Sequence, residues 1–439
     1  MPSEPVTTNP FVEETDQEPE VLSEPLTRAR RLREAGESRE AAQAYREAAA
    51  APSASVDTLY ETALYLADIG EGEEAVERLA AATAPYPEHK GLVVSRAEIL
   101  SELEQDPEAD TLLSDLQDRF PDYHWATLNR VPVLLRLDRA DEAREMAHRV
   151  LTAEPAEGQL EHWVRRLGQI ARQFSERAMF DIAEPVLKRI VELCPDDGSA
   201  FDNLSVLYVQ SGRPLDGLRM SVRAMDLLPE SPIVYYNLGW ALSGLHAAEA
   251  AYRKTIELDP DYRDVYNNFG RMLWQMRRPD EAIGMFRQAA ERYKDAYSRA
   301  ELGSHLYESG DYVAAETEAR HAEELDSGDP LAQRILGDIA AMEGDWTEAR
   351  RRFEAALRFS PGWWTAAIRL ARLSAFQEER DTFLGDLKQA LLCDVAATCR
   401  CVQTDAVFEA LRDDTDVQAL LRAADLFGSA FDVTSGPDA

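Results

Sequence analysis

The sequence predicts an all-α solenoid, a row of stacked helix hairpins, and three observations carry that expectation. A small residue returns at nearly constant spacing: Ala41, Ala75, Ala109, Ala143, Ala183, Gly217, Ala248, Ala282, Ala315 and Ala349, with steps of 34, 34, 34, 40, 34, 31, 34, 33 and 34. Four places later, most copies carry an aromatic or apolar residue (Tyr45, Leu79, Leu113, Ala147, Leu187, Ser221, Tyr252, Phe286, Ala319, Phe353). Most intervals then close on proline, at Pro87, Pro121, Pro155, Pro195, Pro229, Pro260 and Pro361. Each signal has a mechanical meaning. Small side chains let two helices cross closely, a residue four places on lies one turn further along the same face, and proline cannot continue a helix. A second small residue, as at Ala63, Ala97, Gly270, Gly303 and Gly337, stands 12 places before the first and supplies the other side of the crossing. A single hairpin cannot bury its own apolar face, so neighbours must stack.

The pattern is fullest in LGDIAAMEGDWTEARRRFEAALRFSP, residues 336–361, where Leu336, Gly337, Gly344, Ala349, Phe353, Ala356 and Pro361 all fall in phase. This resembles the tetratricopeptide repeat family, in its bacterial form. The resemblance runs from about residue 25 to 395, with ten units in phase and a degenerate eleventh around Leu370 and Ala390. It implies a right-handed superhelical solenoid, with the stretch TDAVFEALRDDTDVQALL similar to the closing helical cap of such arrays. The expected organisation is an acidic disordered tail over 1–25, repeats one to four over 26–156, repeats five to eleven over 157–395, a cap over 396–426 and a second disordered tail over 427–439. The tails combine Pro, Glu, Ser and Thr with too little apolar surface to offset the entropy of ordering.

Two steps break phase. The step of 40 places about six extra residues near AEGQLEH, 156–162, and predicts a bend or a lengthened turn that divides four N-terminal repeats from the rest. The step of 31 falls within YYNLGWALSGLH, 235–246, and predicts a hairpin trimmed at its tip around Ser243 and Gly244.

Charge narrows the partners. With 81 acidic against 47 basic residues and a formal net charge of −34, the chain repels nucleic acid and anionic membrane surfaces at long range. No run approaches the roughly 18 apolar residues of a spanning helix, and the first residues lack a basic start followed by an apolar core. The expectation is a soluble, cytoplasmic chain. Its four cysteines are too few for a disulfide framework.

Candidate binding residues follow from the repeat phase, which assigns the first helix of each unit to the inner wall. Asn203, Asn237 and Asn268 recur at one height in three successive units. An amide both donates and accepts, so stacked Asn side chains can hold the backbone of an extended peptide. The arrangement is similar to the asparagine ladder of O-GlcNAc transferase repeat domains; the alternative is that these amides make inter-repeat or water contacts. Tyr236, Trp240, Asn267, Arg271 and Trp274 project from the same helices, and Trp and Arg are enriched at interface hot spots, although a helical Trp also serves packing. Arg334, Arg369 and Arg372 map to inner-wall positions and could receive a carboxylate-rich segment, or else pair with neighbouring acids of the chain itself. The Lys, Asn and Arg set with which some repeat domains of this family grip chaperone tails is absent; where Asn268 could serve, the next unit offers Glu301.

Chemistry is not expected. The sequence holds no phosphate-cradling glycine loop, no HExxH and no nucleophile elbow. Cys393, Cys399 and Cys401 could supply three thiolates, but no His follows His321 to complete a zinc set. No catalytic residue, metal or cofactor is assigned. The leading expectation is a non-enzymatic scaffold that binds a segment of another protein in its groove. The alternative is a subunit or regulator of an enzyme complex that works through its outer face and tails.

Overall fold

Alanine-rich helix pairs dominate the computed structural model, which describes residues 24–51, 54–83, 85–86, 88–156, 158–242 and 247–431. The first six pairs are α1 (Glu24–Glu34) with α2 (Ser38–Ala49), α3 (Val56–Asp68) with α4 (Gly72–Thr83), α5 (Lys90–Glu102) with α6 (Asp106–Arg119), α7 (His124–Arg136) with α8 (Ala140–Leu151), α9 (Leu160–Glu176) with α10 (Phe180–Leu193), and α11 (Gly198–Gln210) with α12 (Pro214–Leu227). Five more follow: α13 (Pro232–Ala241) with α14 (Ala247–Leu258), α15 (Val265–Gln275) with α16 (Pro279–Tyr293), α17 (Ala296–Ser309) with α18 (Tyr312–Leu325), α19 (Pro330–Glu343) with α20 (Trp346–Phe359), and α21 (Trp364–Phe376) with α22 (Arg380–Cys393). The cap is α23 (Val395–Thr404), a 3-10 segment Ala406–Leu411 and α24 (Thr415–Phe431). No strand occurs among the described residues. The fold is all-α, built of stacked tetratricopeptide-type hairpins.

The repeating small residues do what their spacing requires. All ten anchors from Ala41 to Ala349 are buried, and so are all ten residues four places on. Three glycines of the first helices meet aromatics of the second. A methyl group on Gly337 would sit 2.7 Å from the Phe353 ring, one on Gly270 2.9 Å from Phe286, and one on Gly239 2.7 Å from Tyr252. Six of the closing prolines fall in the connectors after α6, α8, α10, α12, α14 and α20; Pro87 lies outside the described residues. Gly344, at φ 83°, ends α19 in the left-handed conformation that glycine adopts without strain.

The helices cluster into two compact units, Met1–Pro229 and Glu230–Ala439. The insertion near 156–162 lies within the first unit. The extra residues are absorbed locally: α9 has 17 residues where α7 has 13, and a longer connector precedes it. Gln159 in that connector accepts a hydrogen bond from Trp125 Nε1 at 2.8 Å, and α9 and α10 pack on α7 and α8. The short step is placed by α13, which ends at Ala241, two residues after Gly239, whereas α19 ends at Glu343, six after Gly337. A turn of first helix is thus missing; Ser243 and Gly244 lie outside the described residues. The tails also differ from expectation at their edges. Glu24 and Pro25 open α1, and residues 427–431 are helical, while 1–23 and 432–439 lie outside the described residues.

Ion pairs tie successive hairpins at their edges. Glu249 on α14 accepts from Arg278, at the start of α16, at 2.6 Å and from Arg253 at 2.8 Å. Arg278 first and Arg253 second hold its carboxyl well below the usual range, from 4.5 to about 2. A folded-state value below the unfolded one contributes stability that is full above pH 4.5 and lost as the pH falls towards 2. Glu249→Gln is expected to flatten the acid limb of a stability-versus-pH curve in that window, measured by urea unfolding, and to leave its slope near neutrality unchanged.

A second expectation concerns the glycines. Gly337→Val drives side-chain atoms into Phe353 and is expected to cost about 1–3 kcal/mol. Gly284→Ala, inside α16 with nothing within 4 Å of the added methyl, is expected to stabilise by about 0.5–1 kcal/mol through helix propensity. Thermal melts of the two variants beside the parent check both signs.

Candidate functional site

The first helices of the second unit carry most of the residues that the sequence singled out, and the structure sorts them by what they touch. Asn268 donates from Nδ2 to the Tyr236 hydroxyl and accepts from Arg271 Nη1 at 3.2 Å, so both ends of its amide are engaged across α13 and α15. Tyr236 is itself packed among Tyr252 and Tyr262, with ring centroids 6.2 and 5.1 Å away. Arg271 reaches forward to α17, where it pairs with Glu301 at 2.9 Å and donates to the Tyr297 hydroxyl. Asn267 is 1% exposed and donates to Ser298 Oγ at 3.1 Å, which makes it a buried link between hairpins and removes it from any surface. Trp274 stands edge-on to His305, at 4.8 Å, against the core. Asn237 and Trp240 are half-buried on α13. Asn203 belongs to the first unit, exposed on α11. The three amides therefore differ in environment, and the one at 268 is spent inside the chain.

The arginines form a second group. Arg334, 6% exposed, pairs with Asp338 at 2.7 Å and donates to Ser304 Oγ at 2.9 Å. Its placement one turn before Asp338 on α19 is the i,i+4 spacing at which opposite charges meet. Arg369 on α21 lies 2.6 Å from the other oxygen of Asp338, and Arg372 donates through Nε to Asp405 at 2.6 Å. The three arginines thus pair with two aspartates of the same unit, the alternative to ligand binding that the sequence left open. Sequence position alone put these guanidiniums on a surface; Arg334 is instead interior.

Beside these pairs the structure opens a recess of about 180 Å³ that the sequence did not point to. Its lining is Asp338 and Ala341 of α19, Trp346 and Phe353 of α20, Arg369, Arg372, Leu373 and Phe376 of α21, and Val407 of the cap. Trp346 and Phe376 form its outer wall, with ring centroids 4.9 Å apart. Phe376 is 62% exposed, and next to it on the preceding tip Met342 is 55% exposed. The Tyr307 hydroxyl lies 3.7 Å from Met342 Sδ, and Tyr307 packs on Tyr312 at 5.2 Å, so the apolar surface extends over three hairpin tips. The available signal was a large apolar residue five places after the small residue of the first helix, at Met342 and Phe376, where a solvated tip calls for a polar one.

Comparison with known proteins identifies the repeat. The tetratricopeptide repeat model matches residues 26–90, 240–297, 267–330 and 300–362. The chain carries tetratricopeptide repeats over 26–90 and 240–362. Among curated relatives of this repeat protein, the anaphase-promoting complex subunit 7 of Arabidopsis thaliana is 29% identical over 188 residues, which span 42% of the chain and 34% of that protein. The cellulose synthase operon protein C of Pseudomonas fluorescens (strain SBW25) is 26% identical over 239 residues, 48% of the chain and 18% of that protein. The match thus spans about a third or less of each relative's length. Solved structures similar to the chain include the APC/C hetero-tetramer Cut9-Hcn1, at TM-score 0.40 and 15% identity over 91% of the chain and 95% of that one. Yeast Tom70 is comparable, at TM-score 0.41 and 14% identity over 92% of the chain and 96% of that one.

Tetratricopeptide repeats are in general non-catalytic scaffolds for protein–protein interaction, and the cysteines of this repeat protein suit that setting. Cys393, Cys399 and Cys401 are half-buried against the core of the last hairpin and cap, and burial pushes the thiols of Cys393 and Cys401 up. Among the described residues no group of three or more His, Cys, Asp or Glu is placed to hold a metal ion, and no helix is long and apolar enough to cross a membrane.

The arginine assignments separate by stability. Arg334→Leu leaves part of a buried carboxylate uncompensated and is expected to cost about 3 kcal/mol. Arg372→Leu removes a side chain that is 37% exposed and is expected to cost under about 1 kcal/mol. Urea unfolding of the two variants distinguishes an interior pair from a surface one.

Proposed function

We propose that the protein is a non-enzymatic scaffold that holds a segment of a partner protein on the first-helix face of its second unit, with the recess beside Trp346 and Phe376 as its anchor. The observation that carries this reading is the recess itself: an apolar floor of Ala341, Phe353 and Leu373 under an aromatic wall left open to water. Its volume, about 180 Å³, suits one large apolar side chain. Burying such a side chain is worth about 1.5–3 kcal/mol, and aromatic anchors in desolvated pockets dominate interface energetics. Asn237, Trp240 and the exposed Ile233 and Tyr297 offer further contact surface on the same unit. In this reading the Asn268 and Arg271 contacts position Tyr236 and Tyr297 and do not themselves grip a ligand.

A second reading, a complex subunit that works through its outer face, draws on Leu215 and Val222, 74% and 46% exposed on α12 of the first unit. One relative is by its name a subunit of a complex. Site-specific photo-crosslinking separates the two. With p-benzoylphenylalanine at Phe376 or at Leu215 in cells of the source organism, the groove reading expects a discrete adduct from Phe376 and none from Leu215. The reverse pattern selects the outer face.

A further inference from the structure

The charges around the recess say which kind of segment it takes, an inference that rests on the reading of the recess as an anchor. The bases that line it are already answered: Arg369 by Asp338 and Arg372 by Asp405. The acids at its rim are not. Three successive hairpin turns border the apolar tips Tyr307, Met342 and Phe376, and they carry Glu308, Glu343, Glu378 and Glu379, all exposed and without an ion pair among the described residues. Asp311 and Asp345 in the same turns accept only backbone N–H groups, from Ala314 at 3.2 Å and Glu348 at 3.0 Å. Arg380, the base of the third turn, is committed to Asp414 at 2.7 Å and to Asp416 at 2.5 Å.

We infer that the recess receives a basic segment, in which a large apolar side chain enters between Trp346 and Phe376 while flanking Lys or Arg side chains meet the carboxylates of the hairpin tips. This is the opposite of the carboxylate-rich segment that the inner-wall arginines could have received. Those arginines already stand against Asp338 and Asp405, so a ligand carboxylate would share each guanidinium with an acid of the chain, whereas a ligand cation finds carboxylates without an ion pair among the described residues. Complementary charge of this kind steers encounter and selects among partners, and the net charge of −34 acts in the same direction at long range.

The test is a titration of the full chain, by fluorescence anisotropy at physiological salt, with three labelled synthetic peptides. Each carries Phe-Leu at its centre, flanked on both sides by Lys and Arg, by Gln, or by Glu. The basic peptide is expected to bind saturably and the Glu-flanked one not to bind. Phe376→Ala is expected to weaken the basic and the neutral peptide alike. The triple variant Glu343→Gln, Glu378→Gln, Glu379→Gln is expected to weaken the basic peptide about tenfold and leave the neutral one unchanged. Removing as much charge elsewhere, by Glu73→Gln, Glu77→Gln and Asp115→Asn, is expected to do little, and melting curves establish that all variants are folded. If the tip and control variants weaken the basic peptide equally, or if the Glu-flanked peptide binds best, the charge inference falls while the apolar anchor stands. If Phe376→Ala changes no titration, or no peptide binds saturably, the anchor reading falls and the inference with it. A concentration-dependent dimer in sedimentation equilibrium that Phe376→Ala abolishes would assign the face to a second copy of the chain and overturn the inference too.

Discussion

The close crossing of the two helices within each hairpin is the constraint from which the rest follows. At Gly337 the backbone of the first helix approaches the Phe353 ring so nearly that a single methyl group would stand 2.7 Å away, and Gly239 and Gly270 face Tyr252 and Phe286 in the same manner. Interiors packed at crystal density leave no slack to absorb an added carbon. The crossing therefore fixes the rotation of each first helix about its axis. That rotation decides which side chains meet the next hairpin, and so places Asn267 on Ser298, Arg271 on Glu301 and Arg334 on Ser304.

These contacts turn polar side chains into mortar. Burying Arg334 and Asp338 costs desolvation that their attraction repays only with good geometry and further partners, here a hydrogen bond to Ser304 and a second ion pair from Arg369 to Asp338. Once made, such a network strongly disfavours any register in which a partner is missing, so it specifies the stacking more than it strengthens it. Its consequence for recognition is indirect. Cations consumed between hairpins are not available to a ligand, and an already acidic chain is left to present free carboxylates at its tips.

The architecture was legible because it is written in phase. Ten anchors and the residues four places on are buried as their spacing required, and the connectors carry the prolines that ended each count. The site was less legible, for a physical reason: repeat phase tells which face a side chain leaves from, but not which group on the next hairpin will meet it. The amide ladder illustrates this. Asn203, Asn237 and Asn268 share one repeat position, yet Asn268 is closed by Tyr236 and Arg271 while Asn203 is exposed. The Arg334–Asp338 pair could have been read from its i,i+4 spacing; the Arg369–Asp338 pair, a repeat apart, could not. The spacing near 156–162 located extra residues but not their form, because a bend, a longer turn and a longer helix all add the same count; here the connector and α9 are both longer.

Why the recess forms at one place in a repetitive structure follows from the residue five positions beyond the small residue of the first helix. That position is Gln275 after Gly270 and Glu308 after Gly303, both exposed and polar, as a hairpin tip in water should be. It becomes Met342 after Gly337 and Phe376 after Ala371, apolar in two consecutive hairpins. One such residue would be an isolated exposed side chain of the sort every surface carries. Here Phe376 stands against Trp346 of the preceding hairpin and, with Val407 of the cap, lines a recess that neither hairpin forms alone, while Met342 adds exposed apolar surface on the preceding tip. The repeats thus supply a uniform framework, and specificity arises where two neighbouring copies depart from it in the same direction.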